Sequence, residues 1–112
     1  MAMLEKSVQS YPLATANPTT LLAASSTVTR WIRGITIVNN GSAGTWNFGA
    51  TTTATLTAAN AIWFGISIAA GATFVHFFPG RGLRLGGTDI IAGFASATNM
   101  SLSVHYTEQD LT

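Results

Sequence analysis

From Gly34 to Gly80 the chain carries no Asp, Glu, Lys or Arg, and fills that span with apolar residues interleaved with Thr, Ser, Asn and Gly. A soluble domain typically carries about a quarter charged residues, whereas here the fraction is 8% and Lys6 is the single lysine. Charge keeps monomers apart and stops exposed sheet edges from pairing with other chains. A chain this poor in charge is expected to be a β-protein largely covered by neighbouring subunits, and not an enzyme that works as a free monomer.

With 112 residues the chain has room for one domain. A net charge of +1 supplies no long-range field to gather nucleic acid or anionic lipid, so neither is expected as a partner. The absence of cysteine removes disulfides, thiolate chemistry and cysteine-ligated metals. Glu5 and Lys6 fall where a signal peptide would need its apolar run, so no export signal is expected.

The stretch IWFGISIAAGATFVHFF, residues 62–78, is uncharged and rich in large apolar residues. A helical span needs roughly 20 such residues. This one is interrupted by Gly65, Gly71 and His76 and alternates at period two on both sides of Ala69-Ala70-Gly71, so two strands of a hairpin are expected in its place.

The same period recurs along most of the chain. In VTRWIRGITIV, strict alternation puts Trp31, Arg33, Ile35 and Ile37 on one face and Val28, Arg30, Ile32, Thr36 and Val38 on the other. Asn39 to Gly44 tolerates positive φ and predicts a hairpin returning over Thr45 to Gly49. Later, Ile62, Phe64, Ile66 and Ile68 share one face against Trp63, Gly65 and Ser67. Pro79-Gly80-Arg81-Gly82 and Gly86-Gly87 read as turns. Strands follow over Asp89 to Ala95 and Met100 to Tyr106, the last alternating Met100, Leu102, Val104 and Tyr106 against Ser101, Ser103 and His105.

Short strands separated by frequent turn signals predict an all-β, antiparallel β-sandwich of jelly-roll type. Residues 1–18 lack the pattern and carry Pro12 and Pro18, which reads as an N-terminal extended arm or an edge strand. The expected organisation is arm 1–18, sandwich 19–107 and C-terminal tail 108–112.

No motif commits the chain to chemistry. Ser, His and Asp occur without a G-x-S-x-G elbow or any spacing that joins nucleophile, base and orienting group. His76 and His105 form no spaced ligand pair, and GRGLRLGG lacks the Lys-Ser/Thr of a phosphate loop. No catalytic residue, cofactor or metal is therefore assigned, and the chain is not expected to be an enzyme.

Four of the five basic residues are arginines in two close pairs, Arg30 with Arg33 and Arg81 with Arg84. Arginine is favoured in interfaces, where its fork binds carboxylates and its stem covers apolar surface. Together with Trp31, Trp46, Trp63 and His76, these arginines are the candidate assembly residues, with some ion pairs expected between subunits.

Three segments, TLLAASSTVTRWIRGITIVNNG, AANAIWFGISIAAGATF and GLRLGGTDIIAGFASATNMSLSVHYTE, taken in order over residues 20–108, resemble small structural proteins of tailed bacteriophages. These are virion components with roles in decoration, head or tail. The likeness lies in β-pattern and turn placement, with Thr88 an extra residue before Asp89. It implies a virion protein and brings no catalytic residue with it. The expectation is a homo-oligomer, a trimer, on the outer capsid surface. There it would act as a decoration or cement protein whose partners are the major capsid protein or other virion proteins. A tail, baseplate or head-to-tail joining component is the alternative. From other classes come a carbohydrate- or receptor-binding module using Trp46 or Trp63, and a small membrane protein using residues 62–78.

Overall fold

The computed structural model describes residues 3–17, 19–53 and 55–110, with side chains described between residues 11 and 109. Among them lie nine strands and no helix: β1 (Met3–Pro12), β2 (Thr20–Leu22), β3 (Val28–Asn39), β4 (Gly44–Thr51), β5 (Trp63–Ile68), β6 (Thr73–Phe77), β7 (Leu83–Leu85), β8 (Ile90–Ala95) and β9 (Met100–Asp110). They form two antiparallel sheets, one in the order β1-β9-β3-β6 with β7 also on β3, the other β2-β8-β4-β5. The segment read as an arm or an edge strand is an edge strand over Met3–Pro12, bonded to β9. At the other end β9 continues past residue 107, pairing Arg30 with Glu108 and Val28 with Asp110.

The two predicted tight hairpins are corrected. β3 and β4 lie in different sheets, as do β5 and β6, so the turns at residues 40–43 and 69–72 carry the chain across the sandwich. The reason is visible at Asn39, which is 1% exposed. Its Nδ2 donates to the carbonyls of Ser42 and Ala69, both at 3.0 Å, while its Oδ1 accepts from the Gly41 N–H at 3.1 Å and from Asn99 Nδ2 at 2.6 Å. One side-chain amide thus satisfies backbone groups that a hairpin ladder would otherwise have to satisfy, and ties three connections together at one end of the molecule.

The inner faces of the two sheets share one core. Ile32, Ile35, Ile37, Leu102 and Val104 from the first sheet meet Trp46, Phe48, Ile91 and Ala95 from the second, every one at most 1% exposed. The alternation read in the last strand is observed, with Met100, Leu102, Val104 and Tyr106 all buried. In β3 strict alternation fails. The β3–β9 register shifts between Ile32 and Gly34, a bulge that leaves Arg33 exposed and puts Ile32 on the same inward face as Ile35 and Ile37. A second shift opposite Trp46 and Phe48 turns Trp63 inward with Ile66 and Ile68 and leaves Phe64 outside. Gly65 makes it possible: its φ is +67°, and its N–H donates to Asn47 Oδ1 at 2.7 Å.

Strands β6 and β7 are two pieces of one edge. Both run antiparallel to β3, β6 along Gly34–Val38 and β7 along Arg30–Ile32. The Pro79–Gly82 turn is therefore a protrusion from a continuing strand and not a reversal, closed by Gly82 N–H to the Pro79 carbonyl at 3.1 Å.

Replacing Val104 by Asp should prevent folding, because an unpaired charge at a site with 0% exposure costs several kcal/mol against a total stability of about 5–15 kcal/mol. Ser101→Asp, on the opposite face of the same strand, should retain the circular dichroism and denaturation midpoint of the parent. Gly65→Ala isolates the bulge: an added Cβ there meets no atom within 4 Å, so its cost is the left-handed backbone alone. Chemical denaturation should show a loss of about 1–2 kcal/mol.

Candidate assembly surfaces

One side of the sandwich is bounded by β5 in one sheet and β6 in the other, each bonded to a single neighbour. No charged residue lies on either strand. The gap between them is filled by rings. Trp63 stands 5.6 Å from Phe74, 5.0 Å from His76 and 6.0 Å from Phe78, and Trp46 reaches Phe74 at 4.9 Å. Tilted and edge-to-face pairs of this kind contribute about 0.5–1.5 kcal/mol each beyond their buried area. While Phe74, His76 and Phe78 turn inward, their alternates turn out: Val75 is 49% and Phe77 69% exposed, and across the edge Ile62 is 39% and Phe64 42% exposed. These are the exposed large hydrophobic residues among the described residues, and all lie in or next to β5 and β6.

A second surface lies on the outer face of the first sheet, where β3, β9 and β7 meet. Trp31 pairs with Thr107 on β9 and with Arg84 on β7, and it stands outside the inter-sheet core. The Pro79–Gly82 protrusion places the Arg81 guanidinium over the Trp31 ring, with Cζ 5.7 Å from the centroid, a cation–π contact. Gly82 permits this approach. Its φ is +100°, and a Cβ there would come within 2.3 Å of the Ile32 carbonyl oxygen and 3.3 Å of the Arg33 Cα.

The structure separates the sequence candidates. Arg30 pairs within its own chain, its Nε 2.9 Å from Glu108 Oε2 and its Nη1 donating to the Ala23 carbonyl at 2.8 Å. It is therefore not a free interface cation. Trp46 is 0% exposed and cannot serve as a sugar platform, and its Nε1 is a buried donor with no acceptor among the described residues. Trp63 and His76 are half-buried within the ring cluster. At the second surface Arg81 covers Trp31, Arg84 stands opposite Trp31 in the ladder, and the Arg33 backbone lies beside Gly82. Ile62, Phe64, Val75 and Phe77 are not among the sequence candidates, and strict alternation groups Phe64 with Ile66 and Ile68, from which the structure separates it. Gly65, an isolated glycine inside a strand pattern, is the signal that marks the bulge and hence the outward Phe64.

Among the described residues no three His, Cys, Asp or Glu side chains gather as metal ligands, and no helix is long and apolar enough to cross a membrane. Comparisons with protein-family models, with curated proteins and with solved structures return no match for this chain.

Around the Arg30–Glu108 pair, Tyr11 and Tyr106 have phenols pushed above their ordinary value. For both, burial is the main cause. The neighbouring Tyr106 adds to it for Tyr11 and Glu108 adds to it for Tyr106, while Arg30 opposes the shift in each. A folded-state pKa raised above the unfolded value contributes stability that is fully present below about pH 10 and is lost as pH rises through the folded pKa. Denaturation midpoints should thus hold steady from neutral pH to about 9.5 and fall above it. The fall should be shallower in Tyr106→Phe.

Proposed function

We propose that this chain is a structural assembly protein, a homo-oligomer that reinforces a larger protein shell and catalyses nothing. The observation that carries the reading is the coincidence of two properties on one side of the molecule: the free edges β5 and β6 are uncharged, and in or next to them lie the exposed large hydrophobic residues among the described residues, Ile62, Phe64, Val75 and Phe77. A monomer that must stay dispersed protects its edges with charge or proline. Here the edge resembles the centre of an interface, aromatic and depleted of charge. A second copy is its fitting occupant, because two uncharged faces bring no like charges together and bury no unpaired ion.

The shell is identified through the resemblance of residues 20–108 to tailed-phage structural proteins. On that reading the chain is a decoration or cement protein, a trimer on the outer capsid surface that bridges capsid subunits through several modest contacts acting together. The strand order supports a jelly-roll fold, an architecture used in viral capsids. With β6 and β7 taken as one interrupted strand, each sheet has four strands, and every connection except β4 to β5 passes to the opposite sheet. Among the described residues β1 is bonded to β9 alone, so its other edge can take a further strand from a neighbour.

Sedimentation velocity at micromolar concentration should find the parent protein as an oligomer and Phe77→Lys as a smaller species with the same circular dichroism. The side chain is mostly exposed in the single chain, so its loss costs the fold little, whereas a lysine at an interface centre should weaken association by about 2 kcal/mol or more. A monomeric parent would remove the reading. Counting copies in a purified particle, hundreds for decoration and a dozen or fewer for a tail, tests the capsid assignment separately.

A further inference from the structure

We infer that Arg33, Arg81 and Arg84 form a binding site for an acidic segment of another protein, on the outer face of the β1-β9-β3-β6 sheet. Arg33 is presented by the bulge in β3, Arg81 by the Pro79–Gly82 protrusion and Arg84 by β7, and all three are exposed. The backbone at Gly82 touches that at Ile32 and Arg33, and Arg84 stands opposite Trp31 in the ladder, so the three cations arise from one corner. None has a salt bridge among the described residues. The fourth arginine, Arg30, is neutralised by Glu108. In a chain with five basic residues, three uncompensated cations at one corner form a concentrated feature on an otherwise almost uncharged body.

The chemistry of the corner selects its ligand. Guanidinium forks bind carboxylates and phosphates in bidentate geometry. A single-stranded nucleic acid also needs an open aromatic surface for its bases and a cationic track along its backbone. Trp31 is 7% exposed and lies beneath Arg81, so its ring is closed to stacking, and no further Lys or Arg continues the patch between Gly34 and Gly80. A short run of carboxylates, which needs neither, is the better match. A second copy of this chain is a poor source of them. Its four acidic residues, Glu5, Asp89, Glu108 and Asp110, include no two adjacent in sequence and so offer no run of carboxylates, while Glu108 is paired with Arg30 and Asp89 Oδ2 accepts the Gly86 N–H at 2.7 Å. The ligand is therefore a different protein with clustered Asp or Glu, and on the shell-reinforcing reading, on which that identification rests, it belongs to the shell.

The test uses the isolated full-length protein and a fluorescent oligo-glutamate peptide, with an oligothymidylate of equal charge as the competitor class, followed by anisotropy at low and moderate salt. The parent should bind the peptide more tightly than the oligonucleotide, with affinity falling as salt rises. The Arg33→Gln/Arg81→Gln/Arg84→Gln variant should bind about 3- to 100-fold more weakly, each exposed pair contributing a factor of about 1.5–5, with its sedimentation coefficient unchanged. Should the triple variant fold poorly, Arg84→Gln alone should weaken binding about threefold. No binding by the parent, full binding by the folded variants, or tighter binding of the oligonucleotide would each overturn the proposal. The assay contains no shell and reads no self-association, so its failure is distinct from failure of the oligomer test.

Discussion

The ladder between β3 and β9 is the interaction on which the rest of the molecule depends. It aligns Val28–Asn39 against Met100–Asp110 with one shift in register, sets Ile35 beside Val104 and Ile37 beside Leu102, and so makes the apolar stripe on which the second sheet closes. Both strands sit between other strands, β1 beyond β9 and β6 with β7 beyond β3, so the outward row is organised by the same pairing. A shift of one residue in this ladder would exchange the core for the surface in either strand. The Arg33 bulge is where the ladder absorbs such a shift. It keeps Ile32 and Ile35 both inward and sends an arginine out.

How much of this was legible depended on whether local pattern and tertiary pairing agreed. Along β9 they agreed, and reading Met100, Leu102, Val104 and Tyr106 as buried needed nothing beyond period two. In β3 and β5 the bulges break the period, so strict alternation separates Ile32 from Ile35 and Ile37, and groups Phe64 in place of Trp63 with Ile66 and Ile68. Turn residues announced that the chain changes direction after Asn39 and after Ile68, but a turn that pairs two strands and one that passes to the opposite sheet use the same Asn and Gly chemistry. What separated them was the burial of the Asn39 amide among three connections. The Arg30–Glu108 pair joins residues 78 apart in sequence, a contact that spacing does not reveal. Scarcity of charge was legible at once. Its placement, with the last two strands of the uncharged run bounding one side of the sandwich and the arginines at one corner, came only with the fold.

That placement explains how so few charges can serve the molecule. A sheet edge without charge is a liability in a free monomer and an asset in a subunit, since the backbone groups and apolar side chains that invite indiscriminate pairing also stabilise a specific one. The bulge at Gly65 limits the hazard on the β5 side, because a strand interrupted in this way is a poor template for continued addition. β6 has no such interruption until residues 78–82, and it carries Phe77, the most exposed large hydrophobic residue among the described residues. The open edge of the first sheet is thus the less protected of the two, and the one where contact with a second copy has most to bury.

Different physics governs the two surfaces, and this allows them to act independently. The proposed association through the β5–β6 edge would draw on apolar burial, which is indifferent to moderate salt and is strengthened by excluded salts such as sulfate. Contact through Arg33, Arg81 and Arg84 is exposed and electrostatic, and is screened over about 10 Å at 0.1 M salt. The protrusion at Pro79–Gly82 connects them in the chain, since β6 enters it bearing Phe77 and β7 leaves it bearing Arg84. A subunit arranged in this way can hold its neighbours through one strand while presenting its cations, from the continuation of that strand, to an acidic surface of a different protein.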